Sequence, residues 1–407
     1  MPKRIATDNR TIAHILDRST VTIIDRKNLE KRLKSGKPLR VKLGIDPTGP
    51  NLHLGHAVQL RKLKQFQDAG HKVVIVIGDW TARIGDPTER NEMRPQLTAV
   101  EVKKNTREYL KQLFLILNKK ETEVVWQSSW FNKFGLDDVF DLLSKWTVSQ
   151  LLDRDDFKKR LSDGTEVGYH EPIYSLLQAY DSIMVKADVE IGATEQLFNL
   201  LRGRDLQNMQ QQTPQEIMTL DILIGLDGKR KMGKSHNNYI ALLDSGEEMY
   251  GKVMSIPDEL IPHYFELTTE LPDAEVTNIK KRLQELTVNP RDLKMRLARE
   301  IVTLYYDAKT AKAAEQQFIN VFQKKIMPEH IEVVLLSSWP NTLAHAVVAT
   351  TLAHSMSEAR RTIEQGGIKI NGEVEKNPNK TLPKNADLVL SRGKRLFKKI
   401  ALKNAAT

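Results

Sequence analysis

"GIDPTGPNLHLGHAVQLRKL" occupies residues 44–63, and its reading decides the fold. It starts inside a continuous apolar run, "VKLGID" (41–46), of the kind found in strands buried on both faces. The chain then turns through Pro47 and Gly49, and helical spacing runs from 53 to 69. Strand, turn and helix in that order open an α/β unit. His53 and His56 stand three apart at the start of the helix, and so on one face. Helix N-termini attract anions through unpaired N–H groups and the macrodipole. Two imidazole donors placed there, beside Gly55, where a ligand can approach the backbone, make a seat for a phosphoryl group. A single histidine would more often cap the helix or pack against it. Two histidines with no cysteine and no adjacent carboxylate do not complete a tetrahedral zinc site.

Outward from this stretch the strand–helix alternation continues over the first 230 residues. "KVVIVIG" (72–78), "TEVVWQ" (122–127), "MVKADVEIG" (184–192) and "IMTLDILIG" (217–225) read as further strands. Residues 137–161 and 172–180 read as helices inserted between the halves of the sheet. The expected fold is α/β, a doubly wound parallel sheet of Rossmann-like type. After residue 239 the strand signal fades, and 247–324 reads as helices broken near Pro257, Pro272 and Pro290. The stretch "KKIMPEHIEVVLLSSWPNT" (324–342) is turn-rich and reads as a linker before a small α+β unit. The expected domains are 1–240, 241–328 and 341–407.

The chain contains no cysteine, which removes disulfides, thiolate metal sites and cysteine nucleophiles and fits a reducing cytoplasm. No apolar run is long enough to span a bilayer, so a membrane partner is not expected. Lys and Arg number 62 against 52 Asp and Glu, a formal charge of +10, and residues 356–407 alone carry +7 of it. A basic tail often serves only solubility, but a clustered excess is also the electrostatic footprint of a nucleic-acid surface.

A second motif, "GKRKMGKS" (228–235), satisfies the pattern G-x-x-x-x-G-K-[ST] of a P-loop. Its interior is Lys229, Arg230, Lys231 and Met232, and "HNNYI" after Ser235 is a poor first helical turn. The alternative is a cationic arm that closes over phosphates held at the histidine site. A P-loop NTPase would release phosphate steadily without any amino acid.

"HLGH" (53–56) and "KMGKS" (231–235) together resemble the two signatures of the class I aminoacyl-tRNA synthetases. "GDWTARIGDPTERNEMRP" (78–95), "YSLLQAYDSIMVKADVEIG" (174–192), "FNLLRGRDLQ" (198–207) and "EEMYGKVMSIPDELI" (247–261) are similar, block by block, to the bacterial tyrosyl-tRNA synthetases. Within these, the branch with "VKLG" at its first strand is the nearest. "LAHSMSEARRTIEQGGIKINGE" (352–373) resembles an S4 RNA-binding domain. The resemblance covers nearly the whole chain, and it implies that the Lys-rich octapeptide closes over ATP.

The resemblance implies a tyrosine–tRNA ligase that makes tyrosyl-adenylate from L-tyrosine and ATP with Mg²⁺, then charges tRNA(Tyr). It also implies a homodimer and no tightly bound cofactor or protein-held metal. His53, His56, Lys231, Lys234 and Thr48 take the catalytic positions around the phosphates. Gly44, Asp46, Gly55, Gly192, Glu195, Met232, Gly233 and Ser235 take those around ATP. Tyr174, Gln178 and Asp86 would hold the substrate ammonium, Asp181 the phenol hydroxyl, and Gln196 the carboxylate. Arg360, Arg361, Arg392, Lys394 and Arg395 would meet RNA. Two departures stand out: Lys42 replaces a tyrosine that elsewhere helps grip the phenol, and "GATEQ" (192–196) puts Ala193 and Glu195 where glycine and aspartate are usual. A synthetase paralogue of reduced or altered activity, acting mainly by binding RNA, is the alternative these departures leave.

Overall fold

The computed structural model describes residues 4–87, 97–322, 331–336, 338–383, 388–393 and 396–402. They form two compact units, Met1–Ala311 and Lys312–Thr407. The first is built on six strands: β1 (Thr20–Ile23), β2 (Arg40–Ile45), β3 (Lys72–Ile77), β4 (Thr122–Trp126), β5 (Val189–Ala193) and β6 (Glu216–Leu220). Their order in the sheet is β1-β6-β5-β2-β3-β4. Strands β2 to β6 run parallel, and β1 adds antiparallel to the edge at β6. The order reverses between β2 and β5, and in such sheets the ligand crevice lies beyond the strand C-termini at that point. Val73 to Ile77 of β3 are all buried, as a central strand covered on both faces requires.

The helix Leu54–Asp68 follows β2 and buries Leu54, Ala57, Val58, Leu60, Leu63 and Phe66. Helices Ile173–Val185 and Leu197–Met209 pack against each other and flank β5. The inserted region resolves into three short helices, Leu136–Leu143, Val148–Leu152 and Asp155–Ser162. Helices Gly246–Val253, Ile261–Thr268, Asp273–Gln284, Pro290–Tyr305 and Ala308–Phe322 follow the sheet. Arg18 joins the N-terminal helix Asn9–Asp17 to this region: its guanidinium donates to the carbonyls of Phe265, Glu266, Thr269 and Leu271 and pairs with Asp273. Those carbonyls close the end of Ile261–Thr268, where backbone acceptors lack helical partners.

Three expectations change. Residues 184–192 are not one strand: the preceding helix continues to Val185, Lys186 ends it at φ 49°, and β5 starts only at Val189. Within 217–225 the strand stops at Leu220. The stretch read as a linker contains a strand, β7 (Glu332–Leu336), which belongs to the sheet of the second unit.

That sheet also contains β8 (Ile368–Ile370), β9 (Glu373–Val374), β10 (Leu388–Arg392) and β11 (Leu396–Leu402), in the order β7-β11-β10-β8-β9. Asn371 and Gly372 join β8 to β9 with φ values of 51° and 92°, the left-handed pair that a two-residue hairpin demands. Helices Leu343–Ala349 and Met356–Glu364 cover the sheet over a core of Leu343, Val347, Ala359, Ile363, Ile368, Leu390 and Ile400. Among the described residues no helix is long and apolar enough to cross a membrane.

Candidate active site

A cavity of about 750 Å³ opens beyond the C-terminal ends of the parallel strands in the first unit. One side is the start of the helix Leu54–Asp68. The His53 N–H donates to His56 Nδ1 at 3.2 Å, and the two rings lie with centroids 3.9 Å apart and planes tilted by 49°. A neutral imidazole that accepts at Nδ1 carries its proton on Nε2, so His56 presents a donor there. Burial drives His53 down to about 2 and His56 to about 3, the Lys234 ammonium adding to both shifts. Both rings are therefore neutral at physiological pH. His53 Nδ1 is buried with no protein partner. A Cβ at Gly55 would lie 3.0 Å from the His53 ring, so glycine there leaves the ring its place.

The octapeptide is a hairpin and not a strand–loop–helix. The Gly225 N–H donates to the Arg230 carbonyl and the Met232 N–H to the Leu223 carbonyl, both at 2.8 Å. Gly228 turns at φ 73°, and the Gly233 N–H donates to Asn238 Oδ1 at 2.9 Å. Only the three-residue turn Lys234–His236 follows. A P-loop needs a helix at this end to aim its N–H groups at phosphate, and none is present. Met232 is buried, Gly233 half-buried and Ser235 exposed at the cavity wall. Lys234 donates to the Asn51 carbonyl at 3.0 Å and lies 5.5 Å from the centre of the Tyr109 ring. Burial lowers its pKa. Lys231 pairs with Glu195 at 3.2 Å, while Glu195 Oε2 is buried with no protein partner.

Gly44 leaves open space where a side chain would stand, and the exposed Thr48 donates its N–H to the Asp46 carbonyl at 2.8 Å. Asp46, at the end of β2, joins the two halves of the site. Its carboxylate accepts from Thr81 Oγ1 at 2.7 Å and from the Tyr174 hydroxyl at 3.0 Å. Tyr174, Gln178 and Asp181 line the cavity from one face of their helix, as their spacing requires. Asp181 is buried, with Oδ2 accepting from Gln127 Nε2 at 2.8 Å and Oδ1 unpartnered. Burial pushes its pKa up to about 8 against the opposing pull of Lys42. Gln196 Nε2 and Asp86 Oδ2 approach to 3.4 Å. A Cβ at Gly192 would meet Leu200 at 2.9 Å. Ala193 has φ −78° and ψ 161°, an ordinary extended conformation, so its methyl introduces no backbone strain.

Sequence reasoning missed Gln127, Thr81 and Tyr109. Gln127 directly follows β4 and accepts from the Thr81 N–H at 3.0 Å while donating to Asp181; the single Thr81 hydroxyl proton goes to Asp46. Its signal was positional: a polar residue just past the C-terminal end of a buried parallel strand. Lys42 is fully buried and lies outside the cavity lining. In the second unit Arg360 and Arg361 are exposed on the helix Met356–Glu364. Arg392 is tied inward to Glu358 and to the Leu352 carbonyl. Lys394 and Arg395 lie outside the described residues.

Residues 34–323 match the family of class I tRNA synthetases for tryptophan and tyrosine, and residues 344–388 match the S4 domain. The chain belongs to that class I synthetase family. It is 48% identical to the tyrosine–tRNA ligase of Thermotoga maritima over 95% of this chain and 96% of the relative. The tyrosine–tRNA ligase of Haemophilus influenzae is 43% identical over 98% and 99%. Within the family the chain therefore stands with the bacterial tyrosyl-tRNA synthetases. The same fold occurs in a truncated mitochondrial tyrosyl-tRNA synthetase of Aspergillus nidulans, with TM-score 0.64 and 24% identity over 77% of this chain and 95% of that one. An Archaeoglobus fulgidus tyrosyl-tRNA synthetase complexed with L-tyrosine also shares it, with TM-score 0.60 and 20% identity over 76% and 100%.

Proposed function

We propose that this chain, a tyrosine–tRNA ligase, activates L-tyrosine with ATP in the cavity described and passes the tyrosyl group to the 3′ end of tRNA(Tyr). The observation that carries the residue assignment is the convergence of His53, His56, Lys231, Lys234 and Asp181 on one cavity. The substrate carboxylate is already ionised, so attack on the α-phosphorus needs no general base. Its requirements are alignment and compensation of charge that spreads over the phosphoryl oxygens as pyrophosphate leaves. Neutral His53 and His56 serve as hydrogen-bond donors, and Lys231 and Lys234 supply positive charge. Mg²⁺ enters as part of the ATP complex, held by phosphate oxygens. The unpartnered Glu195 Oε2 suits a ribose hydroxyl, and Asp181 Oδ1 suits the phenol.

We assign the S4 unit to RNA through the exposed Arg360 and Arg361, and a chain without cysteine fits the reducing cytoplasm. The inserted helices expose Leu136, Phe140 and Val148 at 69%, 62% and 68%. Leu136 and Phe140 stand one turn apart on the same helix, and we assign this exposed apolar region to a homodimer contact. An amino-acid panel in ATP–pyrophosphate exchange tests the reading. Tyrosine alone should drive exchange, and equal rates with phenylalanine would end the assignment. Phosphate release without any amino acid would also end it.

A further inference from the structure

Lys42 and Glu190 form an ion pair at 2.9 Å, with both side chains inaccessible to solvent. Burying a charge pair is tolerable only when the surrounding hydrogen bonds are complete. Here they are. The three Lys42 N–H donors go to Glu190 Oε1, to Ser182 Oγ at 2.7 Å and to the Gln178 carbonyl at 3.1 Å. Lys42 therefore has no donor left for a phenol. Glu190 Oε1 also accepts from Gln178 Nε2 at 3.1 Å, and Oε2 accepts from Ser182 Oγ and Gln215 Nε2. Gly203 leaves room for the cluster: a Cβ there would lie 2.7 Å from both Gln215 Nε2 and Ser182 Oγ.

We infer that Lys42 and Glu190 are positioning residues that fix the polarity of the Gln178 side chain. A primary amide facing a carboxylate must present its NH₂ group. Gln178 therefore turns Nε2 toward Glu190, and its side-chain Oε1, distinct from the main-chain oxygen that Lys42 holds, becomes the acceptor offered to the cavity it lines. An acceptor at that place recognises an ammonium group; the reverse orientation would repel one. Lys42 neutralises Glu190 and, through the Gln178 carbonyl and Ser182, holds two successive turns of the same helix. The recognised group is the α-ammonium of the amino-acid substrate, so the inference rests on reading the cavity as an amino-acid site.

The test replaces the pair by Lys42→Met with Glu190→Leu in the full chain. Removing both charges together avoids leaving one buried and unpaired. Binding is measured for L-tyrosine, for tyramine, which keeps the ammonium, and for 3-(4-hydroxyphenyl)propanoate, which lacks it. Tyrosine and tyramine should weaken by about tenfold, the scale of one hydrogen bond to a charged group, while the propanoate is unaffected. An equal loss for all three ligands would reduce the cluster to mere support of the fold and overturn the inference. So would unchanged tyrosine binding. Should the double variant fail to fold, Gly203→Ala displaces the same cluster with both charges kept. It should give the same ligand ranking with a smaller loss, and an unranked loss overturns the inference. Failure of the unaltered protein to bind tyrosine would instead defeat the amino-acid reading of the cavity, and the inference with it.

Discussion

At Asp181 the carboxyl sits where burial disfavours its charge, and its pKa of about 8 is far above an ordinary aspartate. The sign of the linkage follows. Between pH 4 and 8 the unfolded chain has released this proton and the folded one has kept it, so stability falls as pH rises through that window. The slope is about 1.4 kcal/mol per pH unit. Asp181→Asn removes the titration, so its melting temperature should rise relative to the unaltered protein from pH 5 to pH 8. A constant difference over that range would exclude the shift. The same variant tests specificity. Gln127 Nε2 will take the asparagine oxygen, leaving its NH₂ toward the phenol, whereas the aspartate can ionise against the phenol hydroxyl and accept from it. Discrimination between tyrosine and phenylalanine in pyrophosphate exchange should drop by about tenfold or more. Unaltered discrimination would remove Asp181 as the phenol acceptor. Helical spacing puts Tyr174, Gln178 and Asp181 on one face, but spacing alone equally suits a solvated face, and their expected roles came from the family resemblance. Gln127 and Glu190 were not legible, since a single polar residue at or after a strand carries no period, and only the fold shows what it meets.

The elements that hold the site are the helix Leu54–Asp68 and the hairpin carrying Lys231 and Lys234. Lys234 rests on a carbonyl and an aromatic ring, both neutral partners that a phosphate outcompetes. Lys234→Ala should therefore lower kcat for adenylate formation while leaving the tyrosine Kd nearly unchanged, because the interaction is made mainly in the transition state. Pre-steady-state measurement separates the two, and lost tyrosine binding with normal turnover at saturation would contradict the role. Gly78, just past β3, offers a structural test. A Cβ there would fall 2.1 Å from Asp46 Oδ1 and 2.3 Å from Thr81 Oγ1. Gly78→Ala should cost about 1–3 kcal/mol of stability and lower kcat/KM together, checked by denaturant melts and exchange assays. Wild-type stability would show that Asp46 can move freely. The central strands were legible as long apolar runs. The end of the helix at Lys186 was not, because apolar residues continue across it and only a left-handed residue marks the break. Strand β1 is four residues with alternating polarity, too short to announce itself.

At the scale of the molecule the chain forms two units, and the stretch read as a linker supplies a strand to the sheet of the second. A cut after Pro340 would remove β11 and leave its partner β7 behind with Val333 and Leu335 exposed, an unpaired edge that invites aggregation. The reason is that "IEVVLL" pairs with residues some sixty positions later, a contact no local pattern reveals. Point substitutions therefore test the basic unit more cleanly than truncation. Arg360 and Arg361 are exposed near the middle of the helix Met356–Glu364, whereas Arg392 is spent on Glu358. Phosphate contacts release counterions, each steepening the dependence of log affinity on log salt by about 0.7–0.9. Arg360→Ala with Arg361→Ala should leave tyrosine-dependent pyrophosphate exchange unchanged, since that reaction needs no tRNA. Its tRNA affinity should fall, and the salt slope should flatten by between one and two. Filter binding of tRNA at several salt concentrations reads both quantities, and matching slopes for the two proteins would leave these arginines as a solvated surface and move the RNA contact elsewhere on the unit.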